Sequence, residues 1–274
     1  MSCECMQPLI RVESLRKHYR DGRVLGSGHI VSALNDVSFS IAPGSTLALV
    51  GESGSGKSTL ALCLACLERP TSGRIWFGGR NIAGLDEKQL RAVRPQIQLV
   101  FQDPASSLNP RLTALEIIME PLLLQQSWSR CKTQERGFAL LKRVGLSPEM
   151  ASRRAGEVSG GQRQRLAIAR ALSLEPRLLI LDEALSALDC SVQAQIANLL
   201  LELQSSFALT YLFITHDLAM AAHLAEEIAV LSRGQIVEQG IPEKLLGSPE
   251  HEATRCLVAA MPRSIATSHT PGAC

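Results

Sequence analysis

The chain has 274 residues, 46% hydrophobic and 20% charged, a globular balance that excludes wholesale disorder and leaves room for one large domain or two modest ones. Its 28 Lys and Arg against 26 Asp and Glu give a formal net charge of +2, which excludes a protein held to nucleic acid mainly by bulk charge. Mean hydropathy is +0.10, yet no apolar run approaches the roughly 18–20 residues of a membrane span, and the oiliest stretch, Leu115–Leu124, is broken by Glu116, Glu120 and Pro121.

Residues 1–11 lack a charged segment followed by an apolar one, so no secretion signal is expected and the chain is expected to stay in the cytosol. The eight cysteines, at 3, 5, 63, 66, 131, 190, 256 and 274, are scattered, as thiols rather than a disulfide frame. Cys63 and Cys66 form a CxxC, but no second CxxC exists and the pair reads as packing thiols inside an apolar helix. Cys3 and Cys5 form a short tract at the amino end, where a metal role is not expected.

Val37–Ile41 alternates apolar and polar residues, as a half-buried strand does. Thr46–Val50 predicts a compact strand, with a helix from Lys57. Arg74–Phe77 and Ile97–Phe101 predict further strands. From Thr113 to about Gly145 the pattern is helical, with a loop near Ser127–Lys132. Helices are expected over 160–174, 191–206 and 217–226, separated by continuously apolar strands at Leu178–Leu181 and Thr210–Ile214. Such strands alternating with helices predict an α/β fold with a parallel sheet buried on both faces. The block from about 103 to 158 interrupts this alternation and reads as an inserted helical subdomain. Ile228–Leu231 and Gln235–Gln239 flank Arg233-Gly234, a hairpin turn, and 263–274 reads as a loose tail.

Two segments carry chemistry. Gly51–Ser58 (GESGSGKS) fits GxxxxGK[ST] between a strand and a helix. Triphosphate oxygens need several backbone N–H groups at close range, which the backbone around Gly51, Ser53, Gly54 and Gly56 permits, and the helix N-terminus adds positive potential. Lys57 would reach the β- and γ-phosphates, Ser58 would ligate Mg2+, and Thr59 would bond phosphate or cap the turn. The second segment, Leu178–Glu183, is an apolar strand ending in two carboxylates at the edge where α/β ligands bind. Asp182 is expected to hold Mg2+ through water, and Glu183 to act as base toward an attacking water.

Val158–Gln162, followed by Arg163–Arg170, resembles the signature of ATP-binding-cassette (ABC) ATPases, with Val158 where Leu is usual. Ser159, Gly160, Gly161 and Gln162 open a helix, a second anion site on the same chain. Other positions then fit the resemblance. Gln102 is similar to the Q-loop glutamine that senses Mg2+, Ser186–Asp189 to the D-loop, with Asp189 among the implied nucleotide-binding residues, and His216 to the switch histidine at the γ-phosphate. Tyr19 is similar to the aromatic that stacks on adenine, with His18 a weaker candidate. Over about residues 9–262, the resemblance implies a P-loop NTPase (RecA-like) core with an N-terminal antiparallel β region and an inserted helical subdomain. It divides the chain into residues 1–102 (the β region and first half of the core), 103–174 (helical subdomain with signature), 175–244 (second half of the core) and 245–274 (a short C-terminal element). ATP and Mg2+ are the implied ligands. One chain's signature closes on the nucleotide held by another's phosphate loop.

Phe101–Arg111 resembles the segment after the Q-loop glutamine in peptide/nickel importer ATPases. Pro249, His251, Thr254 and Leu257 fit that branch's C-terminal element, although Glu252 and Ala253 depart from it. The resemblance implies the energy-coupling ATPase of an importer for di- or oligopeptides, or for nickel or a metal chelate. It resembles the second ATPase of such a pair, without an iron–sulfur cluster. Implied partners are two transmembrane permease subunits, a second homologous ATPase chain (a heterodimer, or else a homodimer) and a solute-binding protein, with no nucleic acid. The implied location is the cytoplasmic face of the bacterial plasma membrane. Rival readings are a cassette of an exporter or lipoprotein-release system, and a non-transport ABC ATPase acting on DNA or the ribosome.

Overall fold

In a computed structural model, residues 7–20, 30–103, 107–125 and 129–261 are described. Cys3, Cys5, Cys274, the 263–274 tail and residues 104–106 after Gln102 lie outside them.

Two sheets organise the chain. The first is antiparallel, in the order β2-β1-β4-β5, from β1 (Ile10–Arg20), β2 (Ile30–Ile41), β4 (Ser72–Phe77) and β5 (Arg80–Asn81). The second follows the order β10-β9-β3-β8-β7-β6, from β3 (Thr46–Val50), β6 (Ile97–Val100), β7 (Leu178–Asp182), β8 (Thr210–Thr215), β9 (Glu227–Ser232) and β10 (Gln235–Gly240). Its strands β9, β3, β8, β7 and β6 are parallel, and β10 pairs antiparallel to β9.

The parallel sheet separates two cores, and the period-two rule assigns its side chains between them. Leu47 and Leu49 of β3, Leu178 and Ile180 of β7, and Leu212 and Ile214 of β8 face a core shared with helix α1 (Lys57–Leu64) and the antiparallel sheet. Ala48 and Val50, Leu179 and Leu181, and Tyr211 and Phe213 face the opposite core. That second core includes α3 (Ala114–Leu124), α4 (Arg130–Arg143), α5 (Gly160–Leu172) and α6 (Cys190–Phe207), through Ile117, Leu141, Ile168 and Ile196. Smaller helices complete the fold: α2 (Glu87–Val93), α7 (Leu218–Leu224), α8 (Pro242–Gly247) and α9 (Glu252–Ala259).

The predicted alternation and the helical block are present, with two differences. The antiparallel region is longer than the pattern at Val37–Ile41 suggests. In β1 the buried set is Ile10 and Val12, then Leu15 and Lys17. A register shift between Val12 and Leu15, with Ser14 at φ 46, moves the inward face from even to odd positions and hides the alternation. The CxxC also differs: α1 ends at Leu64, so Cys66 lies beyond it at φ 58 rather than within the helix. Cys63 is buried and Cys66 half-buried. Burial pushes these thiols up to about 12 and about 11, so neither is a thiolate at neutral pH.

Candidate nucleotide site

The chemistry collects at one edge of the parallel sheet, because four neighbouring strands end there together. β3 runs into Gly51, β7 into Glu183, β8 into His216, and β6 ends two residues before Gln102. Ligands of parallel α/β sheets bind beyond this carboxyl edge.

The loop between β3 and α1 is shaped by close packing. A Cβ on Gly51 would lie 2.2 Å from the Leu231 carbonyl oxygen, and one on Gly56, at φ 111, would lie 2.4 Å from that of Ala33. The turn after β9 clamps the loop from outside, with the Gly234 N–H donating to the Ser55 carbonyl at 2.9 Å. Helix α1 begins at N-cap Gly56, has no side-chain cap and no acid in its first turn. Its leading N–H groups therefore point outward as donors beside positive helix potential. Ser53 and Ser58 are exposed and Thr59 is half-buried. Lys57 is 5% exposed, and its Nζ donates to the carbonyls of Gly51 at 2.8 Å and Glu52 at 2.9 Å. Burial lowers the Lys57 pKa, while the carboxylates of Glu183 and Asp182 pull it back up.

Glu183 is the hub of the edge. Its Oε2 accepts from Gln102 Nε2 at 3.0 Å and lies 3.7 Å from His216 Nδ1, while Oε1 lies 4.0 Å from Lys57 Nζ. Glu183 itself adopts φ 47, a left-handed conformation uncommon for a side-chain-bearing residue and frequent where a functional group is held in place. Its carbonyl accepts from the Ser186 hydroxyl at 2.9 Å.

Asp182 is 9% exposed and its Oδ1 is buried with no hydrogen-bond partner. Burial raises its pKa, against the Ser58 hydroxyl bond that lowers it. A buried, unpartnered carboxylate oxygen beside a hydroxyl is a donor set that a hard divalent cation fits.

Other expected residues lie apart from this cluster. Ser159 is the N-cap of α5: its Oγ accepts from Gln162 N–H at 3.3 Å, and Gln162 Oε1 accepts from Ser159 N–H at 3.0 Å. Val158 is buried as the apolar anchor of that turn. Gly161 is pressed against α6, where a Cβ would lie 2.6 Å from Val192 Cγ1. Asp189 caps α6, accepting from Val192 N–H at 2.9 Å. Among the described residues, no hydrogen bond or ion pair joins residues 159–162 to residues 51–59. Tyr19, near the end of β1, is 38% exposed. His18 donates its backbone N–H to Thr71 Oγ1 at 3.0 Å, and its ring nitrogen Nδ1 is buried.

The sequence reading did not single out Ser55, whose buried hydroxyl lies unpartnered inside the loop. It also missed Lys17, whose Nζ sits 4.8 Å from the Tyr19 ring centroid. The spacing of Leu15, Lys17 and Tyr19 in a strand would have put all three on one face.

The family profile described as ABC transporter matches residues 34–186. The chain is 53% identical over 256 residues to a probable peptide ABC transporter ATP-binding protein of Sinorhizobium fredii, covering 93% of this chain and 72% of that one. It is 43% identical over 258 residues to the dipeptide transport ATP-binding protein DppF of Escherichia coli, covering 94% and 77%. Among solved structures, the ATP-binding cassette MJ0796, in a dimeric post-hydrolysis state bound to ADP and Pi, superimposes with a TM-score of 0.76 at 32% identity, over 85% of this chain and 98% of that one.

Proposed function

Since the chain belongs to the ABC transporter family and carries its ATP-binding, ATP-hydrolysing cassette, we propose that it is the energy-coupling ATPase of a di- or oligopeptide importer. The observation that carries the chemical part of this reading is the convergence of Gln102, His216 and Lys57 on Glu183 at the sheet edge. The cargo rests on the peptide transport named for the relatives.

In this reading the triphosphate lies along residues 51–59, its oxygens on the loop amides and the N-terminus of α1. Lys57 exchanges the neutral Gly51 and Glu52 carbonyls for anionic phosphate oxygens, so that donor and acceptor are both charged. Ser58 and Asp182, with Gln102, would hold Mg2+, which would supply positive charge against the triphosphate. Glu183 accepts a proton from the attacking water as its oxygen bonds to the γ-phosphorus and the bond to ADP breaks. Gln102 and His216 hold the Glu183 carboxylate and the γ-phosphate in register. The unlinked signature helix serves a second cassette: Ser159, Gly160, Gly161 and Gln162 of one chain face the nucleotide on the other, with Asp189 at the same seam.

Support for docking on permeases comes from the helical block. A cleft of about 210 Å3 is lined by Phe101, Leu108, Pro121, Leu124 and Arg170, and Leu123, Leu124 and Phe138 of the same block are exposed apolar residues. Among the described residues, no helix is long and apolar enough to cross a membrane. Two permease subunits, a second ATPase chain and a solute-binding protein would complete the importer at the cytoplasmic face of the bacterial plasma membrane. The decisive experiment is ATP turnover by the whole complex in lipid vesicles. Stimulation by peptide-loaded binding protein is expected. Turnover indifferent to peptide but stimulated by nucleic acid would overturn the reading.

A further inference from the structure

Tyr19 does not stand alone at the end of β1. Lys17, two residues earlier, shares its face of the strand, and its ammonium lies 4.8 Å from the Tyr19 ring centroid. That ammonium is fixed from behind by the Glu68 carboxylate and by the Arg69 carbonyl, which accepts from Nζ at 2.7 Å. Lys17 is 9% exposed, a burial that lysine tolerates only when paired.

The anchor leads back to the phosphate loop. The N–H groups of Leu67 and Glu68 donate to the Leu62 carbonyl at 2.9 and 3.1 Å, so the segment holding Lys17 is wrapped onto α1, which starts in that loop. One face of the Tyr19 ring therefore rests against a cation held by the segment that follows α1, the helix that the phosphate loop opens.

We propose that Lys17 is a positioning residue for the nucleotide base: it holds the Tyr19 ring at a fixed place relative to the phosphate loop, so that base and triphosphate are bound together. This rests on Tyr19 being the base platform. Without Lys17 the ring regains rotamer freedom that stacking must then remove. The loss falls on ligands with a base and spares those without one.

The test is titration of the full chain with Mg-ATP and with Mg-tripolyphosphate, which has no base. Tyr19→Ala examines the platform by itself: weaker ATP and unchanged tripolyphosphate are expected, and equal effects on both would remove the premise. Given that result, Lys17→Met is expected to weaken ATP about three- to tenfold and to leave tripolyphosphate unchanged. Lys17→Arg should restore ATP affinity, and the double variant should bind ATP no worse than Tyr19→Ala alone. Glu68→Ala, which removes the charged partner and leaves the ammonium only the Arg69 carbonyl, should show the same selective loss and decides the matter if Lys17→Met does not fold. Unchanged ATP affinity in a folded Lys17→Met or Glu68→Ala, or equal weakening of both ligands, would overturn the proposal.

Discussion

Two helices of this chain carry glycines in their opening turns, and the two ends are built in opposite ways. Helix α1 begins at a glycine with no side-chain cap, and Lys57, Gln102, Glu183 and His216 converge beside it. Helix α5 begins at Ser159 in a closed capping box with Gln162; it packs on α6 through Gly161. The same backbone physics thus gives one end beside which the strands gather Lys57, Gln102, Glu183 and His216, and another that offers amide donors without such a cluster among the described residues. A helix N-terminus becomes a catalytic site through what the sheet edge brings to it. In the proposed reading the second end serves a neighbouring cassette.

The comparison breaks most sharply at Glu183. Glu183→Gln keeps the shape of the carboxylate but cannot take a proton, so ATP binding should persist while turnover falls by about 10²–10⁴. Parallel binding and phosphate-release assays check this, and ordinary turnover would remove the base role. Next comes Lys57→Ala, which should weaken ATP by about tenfold to a hundredfold, the range of a lost charge-assisted bond. Calorimetric titration reads it, and unchanged affinity would refute the cradle.

Asp182→Asn should separate stability from binding. Burial raises the folded pKa of Asp182 above its unfolded value, so its protonated form favours the fold. That contribution is present below the ordinary carboxylate range and is lost as pH rises through the folded value. At neutral pH the buried charge opposes folding. The Asn variant without nucleotide should melt higher than the parent chain, while Mg2+-dependent ATP affinity falls; a lower melting temperature would contradict the burial argument. The smallest effect belongs to the other helix. Ser159→Ala removes an N-cap and should lower stability by about 1 kcal/mol in denaturant titration. No loss would mean that the capping box is not formed in solution.

These regions were not equally legible in the sequence. The phosphate loop was, because close approach of the Leu231 and Ala33 carbonyls demands glycine at positions 51 and 56, and that demand is written as a fixed spacing. Strands β7 and β8 were legible because both faces are buried, which leaves uninterrupted apolar runs. β1 was not, since the shift at Ser14 breaks its alternation and a buried lysine replaces an apolar residue at position 17. The end of α1 was misplaced because Cys66, though apolar in pattern, takes a left-handed conformation that closes the helix. The capping roles of Ser159 and Asp189 were hidden behind the family resemblance at the same residues.

The central claim is that the two helix ends complete each other across two cassettes. Its most direct test is the mass in solution of the Glu183→Gln chain, alone and mixed with the homologous ATPase chain proposed as its partner, with and without Mg-ATP. Two cassettes per particle with ATP and one without is the expected result. Single cassettes with ATP bound would contradict it.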